Sequence, residues 1–223
     1  MADGAGSGLR ADAERNRLRL LGAAQELFAE RGLDVSMRQI ALHAGVGEPT
    51  LRRRFPTKET LIAAAFQAKI TSYAETAEHA LREVNPWDGF TSFVRALTAM
   101  QLGDRGFADV LTMTFPPSLR AESERRRAYA ALSALVTRAQ DADALRKDFT
   151  PEDVVLILMA HAGVVAGAGP LAPVMSARLV EYFLEAFAAP GARRLPAAPS
   201  PAQTYRAMLR LHGGASSSAT EPS

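Results

Sequence analysis

Arg52, Arg53 and Arg54 stand in a row at the end of a short segment that also holds Ser36, Arg38, Glu48, Pro49 and Thr50, with Lys58 just beyond. A guanidinium is a planar, permanently charged fork that matches two acceptors at once, either phosphate oxygens or the O6/N7 edge of guanine. The chemistry available to this set is recognition of a polyanion rather than bond making. Catalytic patterns are absent: there is no Walker loop, Gly-x-Gly-x-x-Gly, His-Glu-x-x-His or Gly-x-Ser-x-Gly. His43, His79, His161 and His212 fall on no metal-ligand spacing, and the chain lacks cysteine. Neither an enzyme, a metal site nor a cofactor is expected.

The elements that must position these residues are legible between 36 and 59. Ser36 precedes an apolar-periodic run and Gln39 follows three residues later, a capping box that opens a helix. Ile40 and Ala41 face inward, and the helix stops at Ala44-Gly45, where glycine supplies the positive φ of a tight turn. Val46 plugs that turn. Gly47 caps a second helix with Pro49 in its first turn, and Leu51 and Phe55, four apart, form its buried stripe. Thr50, Arg52 and Arg53 are left facing out. Two short helices joined in this way form a helix-turn-helix, built to seat its second helix in the major groove of duplex DNA.

Residues 10 to 66 resemble the DNA-binding domain of the TetR family of bacterial transcriptional regulators. The resemblance is carried by ELFAERG, IAxxAGV, PTL followed by RRF, and FPTKETL, in that order. It implies an all-α fold, a three-helix head on a larger helical body, dimerised through its last two long helices and responsive to a small molecule. It also implies a DNA-contacting set of Ser36, Met37, Arg38, Glu48, Pro49, Thr50, Arg52, Arg53, Arg54 and Lys58. Arg38 is the candidate for guanine, Pro49 and Thr50 lie against bases or phosphates, and Ser36, Arg54 and Lys58 hold the backbone. Arg52 departs from the family, which usually places a tyrosine there. Glu48 either accepts from cytosine N4 or stabilises the positive helix N-terminus.

Composition sets mild bounds. At 223 residues and 48% hydrophobic, the chain can bury a sizeable core. Formal net charge is only +2, so positive charge is a local matter. The excess of arginine over lysine, 23 to 3, suits bidentate contacts or reflects codon bias. The absence of cysteine suits a reducing cytosol, and MADGAGSG has no apolar signal core, so a cytoplasmic protein is expected. Val154 to Gly169 is apolar but shorter than the roughly 20 residues of a membrane span. It is read as a buried helix with no membrane role.

The expected organisation is a disordered N-terminus over 1–9, the head over 10–56, a regulatory and dimerisation body over 57–211 and a disordered tail over 212–223. The first helix runs from about Ala11 to Arg31. Its Arg10, Arg15, Arg17 and Arg19 either touch flanking phosphates or form a solvated face. A long helix capped by Thr57 runs to about Val84, and Asn85-Pro86 starts the next. Further helices cover Phe107–Thr114, Ser118–Gln140, Val154–Gly169, Pro173–Ala188 and Gln203–Leu211. The charged run AESERRRAYA is read as a solvated face. Trp87, Phe90, Met100, Phe107, Met113, Phe115, Tyr129 and His161 are either core or the lining of a pocket for an unknown, apolar or aromatic small-molecule effector. His161 is either a hydrogen-bonded core residue or a ligand anchor.

Gly163 and Gly167 let another helix approach closely, within the monomer or across a two-fold interface. Leu179, Val180, Phe183, Leu184 and Phe187 form the accompanying seam of a homodimer. The function expected is a ligand-responsive repressor binding a near-palindromic operator on double-stranded DNA as a dimer. The alternative is a helical small-molecule-binding or dimerisation protein whose head no longer reads DNA.

Overall fold

A computed structural model describes residues 4–189 and 193–213, and all their regular structure is helical. The head comprises α1 (Gly4–Arg31), α2 (Met37–His43) and α3 (Glu48–Arg54). The body comprises α4 (Lys58–Leu81), α5 (Pro86–Gly103), α6 (Arg105–Leu111), α7 (Arg120–Asp141), α8 (Pro151–Ala168), α9 (Ala172–Phe187) and α10 (Pro201–Gly213). Helix α1 starts at Gly4, so residues 4–9, expected to be unstructured, are helical. Once a helix is nucleated, each upstream residue adds a hydrogen bond without renewing the nucleation cost. Residues 1–3 and 214–223 of the two expected disordered ends lie outside the described residues.

Local signals set most boundaries. The Ser36–Gln39 capping box opens α2, and a Thr57–Thr60 box opens α4. Asn85 accepts from the N–H groups of Trp87 and Asp88 to open α5, with Pro86 at its first position. Helix α4 ends at Leu81, three residues early. Arg138 of α7 takes the terminal carbonyl of Leu81 at 2.8 Å and that of Val84, in the following loop, at 2.9 Å. A cap supplied from 57 residues away has no local signature.

Two apolar cores form. The first joins Leu20, Phe28, Ile40, Leu51 and Phe55 of the head region to Leu61 and Phe66 of α4 and to Phe107, Met113 and Phe115 in and after α6. The head therefore does not pack as residues 10–56 alone. Helix α6 lies so close to α1 that a Cβ on Gly106 would stand 2.7 Å from the Phe28 carbonyl oxygen. Asp109 locks the contact by accepting the Leu33 N–H at 2.9 Å. The second core holds Phe90, Phe93, Leu97, Leu132, Leu135, Phe149, Ile157, Val180, Leu184 and Phe187.

The body corrects two expectations. Glu122 and Glu124, read as part of a solvated face, are buried. Arg125 and Arg126 pair with Glu122, while Arg127 pairs with Glu124 and reaches across to Glu78 on α4 at 2.8 Å. A buried acid is tolerable when a guanidinium supplies charge and hydrogen bonds together. The charged run is thus a lattice joining α7 to α4.

The second correction concerns α8 and α9. Residues 151–187 are apolar enough in composition to cross a membrane, but a 3-10 turn at Gly169–Leu171 folds them into a hairpin. Helix α8 is buried on one side only, through Val154, Ile157, Leu158 and His161. Leu156, Gly163 and Gly167 are exposed, as are Leu171, Val174, Met175 and Tyr182 on the following turn and helix. By contrast Val180, Leu184 and Phe187, expected at an interface, lie in the core of their own chain, where Phe187 stacks edge-on to Phe90 and Phe149. Leu179 and Phe183 are half-buried between the two faces. Helical periodicity places apolar residues on a stripe but cannot say which stripe meets the chain's own helices.

Candidate DNA interface

The turn between α2 and α3 is fixed by backbone bonds. Gly45 takes φ +66°, the Gly45 N–H reaches Leu42 O at 3.0 Å and the Val46 N–H reaches Ala41 O at 3.0 Å. This pattern closes α2 and redirects the chain within three residues. Leu51, fully buried, and Phe55 then anchor α3 to the head core. Anchoring one face fixes what the other presents.

The presented face carries Pro49, Thr50, Arg52, Arg53 and Arg54, with Arg38 at the start of α2 beside it in the motif. Arg38, Arg53 and Arg54 are exposed, and none has a hydrogen bond or ion pair among the described residues. Arg52 is different: its guanidinium donates to Glu48 at 2.7 Å, one helical turn back. The two residues that looked out of place for a DNA-facing helix neutralise each other. Glu48 also sits in the first turn of α3, where the helix dipole favours an acid.

Three placements depart from the expected set. Met37 is buried in the head core, so its side chain is structural and does not face DNA. The Ser36 hydroxyl is engaged in its own cap, accepting from the Gln39 N–H at 3.2 Å and donating to Gln39 Oε1 at 2.9 Å. Lys58, at the start of α4, is half-buried, and burial holds its ammonium below the ordinary lysine value against the pull of Asp34, Glu59 and Asp109. On the other flank, Arg15, Asn16 and Arg19 of α1 line an open cleft with Val46, Gly47 and Thr50. Arg17, between them, turns away to Glu14. Spacing of i and i+4 is the signal that singles out Arg15 and Arg19; Asn16 offered none. The side chain of Arg10 lies outside the described residues.

The residues expected around one effector pocket are dispersed. Phe107, Met113 and Phe115 belong to the first core, with Met100 packed on it, while Phe90 lies in the second with Trp87 stacked on it. His161 is fully buried between Gln101 and Ser176, at 2.8 and 2.7 Å. Tyr129 lines a cavity with Glu152.

With this geometry in hand, similarity to known proteins is decisive. A model of bacterial regulatory proteins of the tetR family matches residues 20–65, and one of the SbtR-like transcriptional regulator C-terminal domain matches residues 85–188. The chain belongs to the TetR family. TetR proteins are DNA-binding transcriptional regulators and not enzymes. Among solved structures, the TetR transcriptional regulator SCO0520 from Streptomyces coelicolor is 28% identical, covering 78% of this chain and 99% of its own at a TM-score of 0.50. FadR from Bacillus subtilis, in complex with stearoyl-CoA, is 16% identical over 75% of this chain and 97% of its own, with a TM-score of 0.54. SmeT, in complex with triclosan, is 19% identical over 84% and 98%, with a TM-score of 0.52. These last two share the TetR fold. No curated protein sequence matches the chain.

Proposed function

We propose that this TetR-family protein is a cytoplasmic, effector-responsive repressor that binds a near-palindromic operator as a homodimer. The observation that carries the DNA half is the set of exposed guanidinium groups at Arg38, Arg53 and Arg54, without partners among the described residues, around an α3 pinned by Leu51 and Phe55. Arg38 takes a guanine edge, Arg53 and Arg54 take phosphates or base edges, Pro49 and Thr50 lie against bases or backbone, and Lys58 adds a phosphate contact.

The apolar face of α8 and α9, with Gly163 and Gly167 open to a partner, supports pairing with a second copy through a four-helix contact. A two-fold dimer presents two heads, so half-sites lie about one helical turn or a multiple apart. Structural neighbours that hold stearoyl-CoA and triclosan support a small-molecule effector with a large apolar part. Such an effector acts only as far as it prefers a body conformation that misplaces the heads.

Fluorescence anisotropy with a duplex from upstream of the protein's own gene, against a scrambled duplex at two salt concentrations, tests this reading. Selective binding by two subunits per site is expected. Equal, weak binding to both, and to every duplex recovered from a random pool, would sink it.

A further inference from the structure

The paired acids of α7 leave one buried carboxylate without a cation. Glu152, in the first turn of α8, is 7% exposed. Its one hydrogen bond comes from the Tyr129 hydroxyl at 2.8 Å, and no arginine, lysine or histidine among the described residues pairs with it. An ionised acid withdrawn from water without a counter-charge is costly, by far more than an exposed one. Glu122 nearby does not share the problem, because Arg125 holds both its oxygens at 2.9 and 3.0 Å and Arg126 adds a third bond.

Glu152 lines a partly open cavity of about 410 Å³ between α7, α8 and α10. Val155 and Met208 supply apolar wall, and Tyr129 and Tyr205 supply aromatic rings. Thr204, from α10, also lines it, and its hydroxyl oxygen is buried with no hydrogen-bond partner among the described residues. That oxygen is closed off from the cavity itself, so Glu152 is the group that a guest meets. Arg126, the cation that could oppose a positive guest, has a side chain 66% exposed and is screened by water. Arg125 is committed to Glu122.

We infer that this cavity is a binding site for an organic cation, a protonated amine on an apolar or aromatic body. The ammonium donates to Glu152, the tyrosine rings flank it, and the apolar part lies along Val155 and Met208. Burial, and then the hydrogen bond to Glu152, hold the Tyr129 phenol above its ordinary value, so it remains a donor to that carboxylate. Helix α7, which forms one wall, is joined to α4 by Arg127 and Glu78, and α4 leaves the head directly. The link from this site to DNA release rests on the effector-responsive reading above; the site itself does not.

Isothermal titration of the full chain without DNA decides the matter, using 4-phenylbutylammonium and 4-phenylbutan-1-ol, which share length and ring but differ in charge. The ammonium should bind at least tenfold tighter than the alcohol, and Glu152→Gln should erase that preference while leaving the alcohol unchanged. Equal affinities in the unaltered protein would overturn the site. Should Glu152→Gln fail to fold, Val155→Trp, which fills the cavity from a partly exposed position, takes its place. Loss of ammonium binding supports the assignment, and unchanged binding overturns it. An ammonium that binds here yet leaves operator affinity unaltered upholds the site and refutes only its link to DNA release.

Discussion

Glu48 and Arg52 illustrate what a single residue can and cannot say. In sequence, an acid on a DNA-facing helix and an arginine in place of tyrosine are two separate anomalies. In space they are one ion pair at 2.7 Å. An exposed pair of this kind adds little to stability, but it holds back a charge that could meet phosphate. Glu48→Gln should therefore tighten binding to all duplexes and steepen the dependence of log K on log salt by about one. Weaker binding with altered preference at one base pair, measured across a panel of operator variants, would show that Glu48 reads a cytosine. Arg38 carries the opposite expectation. Arg38→Ala should relax preference at one base pair per half-site by about 1–3 kcal/mol. A uniform loss over the same panel would reduce Arg38 to a phosphate contact.

At the scale of elements, the helices and their caps are local matters, and the joints between them are not. Ser36, Gly45, Gly47, Thr57 and Asn85 each mark an element's end by their own chemistry, and all were readable. The fit of α6 against α1 was not, because it depends on Gly106 meeting a backbone carbonyl of Phe28. Gly106→Ala puts a methyl where backbone cannot yield, and should cost about 1–3 kcal/mol. Thermal melting measures that loss, and the same variant should lower operator affinity because α6 braces the head.

His161 joins α5, α8 and α9 in a similar way. Gln101 donates its amide N–H to Leu158 O, so its oxygen faces His161 Nδ1, which must then donate. Nε2 is left to accept from the Ser176 hydroxyl. Burial depresses the imidazole below its ordinary value, so the unfolded chain binds the proton more readily than the folded one. The stabilisation is fully present above about pH 6.5 and is lost as pH falls through the depressed value. Melting temperature should drop between pH 7.5 and 5.5, and His161→Asn should remove the part of that drop due to the imidazole. An unchanged pH profile in the variant would show that other groups set it.

For the whole molecule, the decisive feature is the apolar face that the folded chain leaves uncovered on α8 and α9. Val174→Glu, at an exposed position of that face, should shift sedimentation from dimer toward monomer and weaken operator binding while leaving helicity intact. A variant that stays dimeric would place the two-fold contact elsewhere. Val180, Leu184 and Phe187 offer no such test, since changing them attacks the core of the monomer.

By itself the sequence determined the all-helical fold, the helix-turn-helix and most caps. These depend on residues within about one or two helical turns of one another, where spacing and propensity act directly. It also carried the family through motifs that are contiguous. Only the tertiary structure decided that Met37 turns inward, that Glu122 and Glu124 are buried and paired, and that Glu152 is buried with no cation paired to it among the described residues. It alone separated the stripe of α9 that packs on its own chain from the one that stays open. An apolar or charged residue carries the same intrinsic preference wherever it stands, and its role follows from which distant helix comes to lie against it.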